Sequence, residues 1–252
     1  MKSKKLEFPG HSGDLLSARL DFPEQGDPKA YILFAHCFTC SKNLKAVGNI
    51  ARALNEEGFA VFRFDFTGLG ESEGDFANTN FSSNIDDLIA AAHYLSKEYR
   101  SPGILVGHSL GGAAVLQAAH EIDSCKAVAT IGAPSNPEHV KKNFEPKLDE
   151  IEEKGEAEVT LAGRSFNIKK QFLDDLDRAN MNNRISNLGR ALVIFHSPID
   201  NTVGIDNAAE IFVKAKHPKS FISLDNADHL LANEEDSRYV GTMLATWASK
   251  YL

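Results

Sequence analysis

Long apolar runs are missing from this chain of 252 residues. Its most apolar stretch, residues 104–119, is interrupted by Gly107, His108, Ser109, Gly111 and Gly112. It is also shorter than the roughly 20 residues a membrane-spanning helix requires. The N-terminus, MKSKKLEFPGHSG, carries lysines with no apolar h-region behind them, so no secretory signal is expected. Positive charge is scarce: 27 Lys and Arg stand against 35 Asp and Glu, for a net charge of −8. That balance argues against non-specific binding to nucleic acid or anionic lipid, which needs clustered positive charge. There are three cysteines, Cys37, Cys40 and Cys125. They cannot all pair within the chain, and a chain this large needs no disulfide scaffold, so a reducing, cytoplasmic setting is expected. The histidines are scattered, and no His/Cys/Glu cluster has zinc spacing; neither a metal nor an organic cofactor is expected. What is present, 42% hydrophobic and 25% charged residues, suffices for a sizeable core in one domain spanning residues 1–252.

Short apolar runs alternate with amphipathic segments. Residues 30–35, 59–64, 103–106, 126–131, 191–196 and 220–224 read as buried strands. Helical spacing occupies 45–57, stopped by Gly58, and then 83–99, 110–121, 206–215 and 234–251. Parallel strands need helix-length crossovers, so this alternation predicts an α/β fold with a mostly parallel central sheet flanked by helices. The N-terminal alternation of Leu15, Ala18, Leu20 and Phe22 lacks intervening helices and predicts an antiparallel start to the sheet.

The rhythm breaks at 136–190. An acidic, helix-like run extends from Glu145 to Glu158, and a hairpin-like alternation from Val159 to Ile168 turns at Ala162-Gly163. A short helix follows around Phe172 to Leu176. The segment reads as an inserted lid over the carboxyl edge of the sheet, with Phe166, Ile168, Phe172 and Leu176 as candidates to line a substrate pocket.

The strongest chemical signal is Gly107-His108-Ser109-Leu110-Gly111, directly after the strand Ile104-Leu105-Val106 and at the start of a helix. A serine on so sharp a turn is lifted out of the fold, and small residues two places either side let strand and helix approach. The helix N-terminus behind it favours developing negative charge. Gly70-Glu71-Ser72-Glu73-Gly74 has the same G-x-S-x-G letters but no strand before it, no helix after it and two carboxylates beside the serine. Ser72 is therefore read as a loop residue. A serine nucleophile needs a base, and the base needs an acid. His217 precedes the strand at 220–224 and would lie at the wrong edge of the sheet, whereas His229 follows it. Asp200 stands in the loop after the strand 191–196; Asp206 reads better as the cap of the next helix. The expected oxyanion donors are the amides of Leu110 and, in the loop after Phe34-Ala35-His36, Phe38.

The strings GHSLGG at 107–112, FDFTGLGESEG at 64–74, HSPIDNTVG at 196–204 and DNADHLL at 225–231 resemble successive signatures of the α/β-hydrolase superfamily. The resemblance implies the α/β-hydrolase fold and a serine-esterase site with Ser109, Asp200 and His229 as its triad. More narrowly, AHCFTCSKN at 35–43 and FDFTGLGESEGDFANTNFSSN at 64–84 are similar to the hydrolase half of proteins that fuse such a domain to an OsmC-like domain, which leaves two expectations open: a stand-alone relative, or an excised domain with an OsmC-like partner outside this chain. Most superfamily members have Gly after the oxyanion-loop histidine; here Cys37 takes that place. The expected substrate is a small neutral carboxylic ester, cleaved through an acyl-enzyme on Ser109, with a thioester or an amide as alternatives for the same residues. Cys37-Phe38-Thr39-Cys40 also matches C-x-x-C, which leaves a redox-linked protein as a different class of alternative; the reading preferred here is that both cysteines are simple loop residues.

Overall fold

A computed structural model of the chain describes residues 2–161 and 163–252. Two antiparallel strands open it, β1 (Lys2–Pro9) and β2 (Leu15–Phe22). The alternation then runs β3 (Tyr31–Ala35), α1 (Lys45–Glu56), β4 (Ala60–Phe64), α2 (Phe81–Glu98), β5 (Pro102–His108), α3 (Leu110–Ala118) and β6 (Ala127–Ile131). The segment expected as an insert holds an irregular helical stretch over Pro137–Lys147, α4 (Leu148–Lys154), the hairpin β7 (Glu156–Leu161) and β8 (Arg164–Lys169), α5 (Lys170–Arg178) and α6 (Met181–Ser186). The alternation then resumes with β9 (Ala191–His196), α7 (Asp206–Lys214), β10 (Lys219–Ser223) and α8 (Glu234–Ala248).

The eight-stranded sheet has the order β1-β2-β4-β3-β5-β6-β9-β10. It is parallel from β4 to β10, with β2 antiparallel to β4. Strand residues alternate between two cores. Leu33, Phe62, Leu105 and Leu192 pack with Leu88 of α2 and Val115 of α3, while Ile32, Val61, Val106 and Val193 pack with Ile50 of α1 and Val240 of α8. Burial on both faces explains why these strands read as unbroken apolar runs. Local signals set the helix starts. Asn80 and Ser83 form a reciprocal capping box at α2, and Asn233 accepts from the Glu235 amide at α8, where three carboxylates occupy the first turn. No helix among the described residues is long and apolar enough to cross a membrane.

Two local expectations need correction, and a third falls partly outside the described residues. The acidic run from Glu145 to Glu158 is not one helix. Gly155, in the left-handed conformation at φ +84°, ends α4, and the chain restarts at once as β7. Asp206 is the first residue of α7 rather than its cap, and Ile205 holds the cap position without a side-chain bond. Of the expected hairpin turn, Gly163 is in the left-handed region at φ +76°, while Ala162 lies outside the described residues.

Candidate active site

Four segments at the carboxyl edge of the sheet converge: residues 36–42 after β3, the β5–α3 turn, the loop after β9 and the loop after β10. The β5–α3 turn is the sharpest. Ser109 has φ 54° and ψ −126°, a conformation that costs a non-glycine residue on the order of 1–3 kcal/mol. Its amide donates to the Ile131 carbonyl at 2.8 Å, which pins the turn to the end of β6. Gly111 permits the close approach: a Cβ there would lie 2.5 Å from the Ala35 and His36 carbonyl oxygens.

Ser109, His229 and Asp200, far apart in the chain, stand in one hydrogen-bonded line. His229 Nε2 is 3.0 Å from Ser109 Oγ, and His229 Nδ1 is 2.7 Å from Asp200 Oδ2. A carboxylate only accepts, so Nδ1 carries the ring hydrogen and Nε2 is left to accept from the serine hydroxyl. The other Asp200 oxygen accepts from the Thr202 and Val203 amides, each at 2.9 Å. Burial works to raise the Asp200 pKa, but the bonds from His229 and from these amides outweigh it and hold the carboxyl below its usual range. Asp200 thus stays charged beside the imidazole.

The two expected oxyanion donors both border the cavity beside Ser109. Among the described residues, neither the Phe38 nor the Leu110 amide has a hydrogen-bond partner within the protein. That cavity measures about 350 Å³, and its walls include Pro134, His139, Val140, Lys142, Asn143, Leu161, Thr202, Val203 and Leu230. Phe166, Ile168, Phe172 and Leu176 are not among them. Ile168, Phe172 and Leu176 are buried in the hydrophobic core, and Phe166 packs edge-on against Phe76. Phe172 still reaches the site indirectly, because its ring and that of Phe144 flank Phe38 at 5.4 and 5.9 Å. Arg164 of β8 also donates to the Thr39 carbonyl.

The loop at 36–42 is held at both ends. Cys37 and Cys40 are joined by a disulfide with Cα atoms 5.3 Å apart, which corrects their reading as simple loop thiols. Beyond them, the fully buried Lys42 donates to Asp65 from its amide at 2.5 Å and from Nζ at 2.6 Å; Nζ also bonds Glu71 at 2.7 Å. Arg63 donates to Asp21 and to the Lys42 carbonyl. Ser72, in the second G-x-S-x-G string, spends its hydroxyl on the Asp65 carbonyl and sits as a staple in this loop. Burial pushes the free Cys125 thiol up to about 11, so it offers no thiolate near neutral pH. No group of three or more His, Cys, Asp or Glu among the described residues is arranged to hold a metal ion.

Residues 26–154 match the family described as serine aminopeptidase, S33. The chain belongs to this family. It is an α/β serine hydrolase. It is similar over its whole length to the esterase domain of a Rhodothermus marinus protein, with 53% identity, a TM-score of 0.83 and coverage of 100% of this chain and 99% of that one. A mitochondrial palmitoyl-protein thioesterase of Rattus norvegicus is 32% identical over 129 residues, 50% of this chain and 42% of the relative. A monoglyceride lipase of Rattus norvegicus is 33% identical over 98 residues, 38% of this chain and 32% of the relative. The matched stretches therefore span less than half the length of these two curated relatives.

Missing from the sequence reading were the Lys42–Asp65 pair and the carbonyl contacts of three buried histidines at the sheet edge, His36, His108 and His196. His36 and His108 stood in motifs already singled out, and all three histidines stand at or just after the end of a run read as a strand.

Proposed function

We propose that this chain is a carboxylesterase-type serine hydrolase that cleaves small neutral carboxylic esters through an acyl-enzyme on Ser109. The single observation carrying the proposal is the line from Ser109 Oγ through His229 to Asp200, at 3.0 and 2.7 Å. His229 takes the serine proton as Oγ attacks the ester carbonyl, and Asp200 keeps the imidazole in the tautomer that can accept it. The oxygen of the tetrahedral intermediate is taken by the Phe38 and Leu110 amides, each worth roughly 3 kcal/mol to the transition state. His229 then returns its proton to the leaving alcohol. Water attacks the acyl-enzyme by the same route, with His229 again as base, and releases the acid. The helix α3 behind Ser109 adds its positive end to the field at that oxygen.

A cavity of about 350 Å³ suits a small ester, at the lower end of the usual range for ligand sites. In this reading the insert at 136–190 acts as a lid, since it supplies His139, Val140, Lys142, Asn143 and Leu161 to the cavity wall. The similarity to a palmitoyl-protein thioesterase makes a thioester the second substrate class to test with the same residues. The strings at 35–43 and 64–84 make an OsmC-like domain the partner to look for.

The test is hydrolysis of p-nitrophenyl acetate and butyrate, with an acyl thioester of matched length, by wild type, Ser109→Ala and the double variant Cys37→Ser/Cys40→Ser. Ser109→Ala is expected to lower kcat by on the order of 10⁴–10⁶. The cysteine variant loosens the loop that carries Phe38 but keeps Ser109, His229 and Asp200, so its turnover should stay well above that of Ser109→Ala. Wild-type turnover in Ser109→Ala would overturn the proposal.

A further inference from the structure

Three histidines outside the Ser109–His229–Asp200 line occupy equivalent places in the fold. His36 follows the last residue of β3, His108 is the last residue of β5 and His196 is the last residue of β9. Each is buried, with 1%, 3% and 0% of its surface exposed. Each also puts one ring nitrogen on one backbone carbonyl. His36 Nδ1 lies 2.8 Å from the Cys37 oxygen, His108 Nε2 lies 2.7 Å from the His229 oxygen, and His196 Nε2 lies 2.7 Å from the Val203 oxygen. A carbonyl can only accept, so in each case that ring nitrogen carries the hydrogen and the tautomer is fixed by the contact.

The three carbonyls are not interchangeable surface groups. The Cys37 carbonyl belongs to the same peptide unit as the Phe38 amide. In a trans peptide the C=O and N–H point opposite ways, so holding the oxygen on His36 directs the Phe38 N–H away from it. The His229 carbonyl is on the very residue whose imidazole meets Ser109, and the two rings, His108 and His229, lie 5.1 Å apart. Val203 is gripped twice: its carbonyl by His196, and its amide by Asp200 Oδ1 at 2.9 Å.

We propose that His36, His108 and His196 are positioning residues that fasten the three loops around Ser109, each by donating one ring N–H to one carbonyl. One loop carries the oxyanion donor, one the base and one the acid, and the anchors all sit on rigid strand ends. The proposal rests on the acyl-transfer role assigned above to Ser109, Asp200 and His229. Burial lowers the pKa of all three anchors, which favours the neutral ring with a single N–H on its carbonyl. The remaining nitrogens fit this state: His36 Nε2 and His196 Nδ1 are buried and have no hydrogen-bond partner among the described residues. The rings also make contacts besides these bonds: His36 packs edge-on against Phe66 and lies 3.8 Å from Asp65 Oδ1, and His196 Nε2 lies 3.8 Å from Asp200 Oδ2. The Cys37 carbonyl takes a second bond from the Cys40 amide at 3.1 Å.

The experiment compares volume-filling variants without a donor with variants that restore one. His36→Leu, His108→Leu and His196→Leu should each lower kcat for p-nitrophenyl butyrate by about 10- to 100-fold, because displacements of an ångström or less cost that much. KM should stay within roughly threefold, since none of the three rings is needed to bind the ester. His36→Asn, His108→Gln and His196→Gln place an amide N–H near the lost ring N–H and should recover most of kcat. Ser109→Ala is run beside them. If it retains activity, the acyl-transfer reading fails and takes this proposal with it. If Ser109→Ala is dead while the leucine variants keep wild-type kcat, or the amide variants fall as far as the leucines, this proposal alone is overturned. Should a leucine variant not fold, ¹⁵N spectra of the wild-type rings decide: protonated His36 Nδ1, His108 Nε2 and His196 Nε2 are expected, and the opposite tautomers would refute it.

Discussion

Replacing His108 by Gln should change how stability depends on pH, by an amount that follows from the site. In the folded protein, burial and then the neighbouring His229 push the His108 pKa from 6.5 down to about 4; the bond to the His229 carbonyl, Asp200 and His36 make smaller contributions of both signs. In the unfolded chain the ring titrates near its ordinary value of about 6.5. Between those limits the unfolded state binds the extra proton and the folded state does not, so unfolding is favoured as pH falls. The stability linked to this ring is present in full above about pH 6.5 and is withdrawn as pH drops towards 4. A shift of about 2.5 units at roughly 1.4 kcal/mol per unit makes the whole effect about 3 kcal/mol. Urea unfolding of wild type and His108→Gln at pH 7 and pH 4.5 isolates most of it. His36 and His196, whose pKa values are lowered in the same direction, remain in both proteins and drop out of the difference. Wild type should lose roughly 2–3 kcal/mol more than the variant over this interval, with unchanged denaturant slopes. Equal losses in the two proteins would refute the assignment of His108 as a buried neutral donor.

Asp200→Asn should lower kcat by about 10³–10⁴ with little change in KM, because the amide no longer enforces the imidazole tautomer; steady-state kinetics on p-nitrophenyl butyrate measures it. Gly111→Ala should destabilise by more than about 3 kcal/mol or prevent folding, since the new methyl meets two backbone oxygens at 2.5 Å that cannot turn away; thermal unfolding reports it. Lys42→Met should cost about 3–5 kcal/mol in urea unfolding by leaving the Asp65 carboxylate buried without its cation, and adding Asp65→Asn should recover part of the loss.

Much of the fold was legible because burial on both faces of a parallel sheet writes itself into unbroken apolar runs, and β3, β4, β5 and β6 lie within a residue or two of the runs that foretold them. The meeting of Ser109, Asp200 and His229 was legible for a topological reason: each follows a strand whose carboxyl end must face the same edge. The cavity wall was not. Phe172 and Ile168 are apolar at regular spacing, and sequence alone does not say whether such residues face a ligand or the core; here they face the core, while Pro134, Thr202 and Leu230 from separate loops line the cavity. The break between α4 and β7 had a signal in Gly155, overridden by the run of acidic residues on either side. The Cys37–Cys40 pair was visible as a C-x-x-C match, but that spacing is equally compatible with two free thiols, so its disulfide was not decided.

Phe38 sits among Phe76, Phe144 and Phe172, and Arg164 reaches across to the Thr39 carbonyl, so the strand-end loop and the insert share one aromatic seam. Chimeras that exchange residues 136–190 with those of another enzyme would sever that seam from one side only. Transplanting 36–40 together with the insert preserves it, and recombination breakpoints drawn between the two would be expected to yield folded but sluggish hybrids.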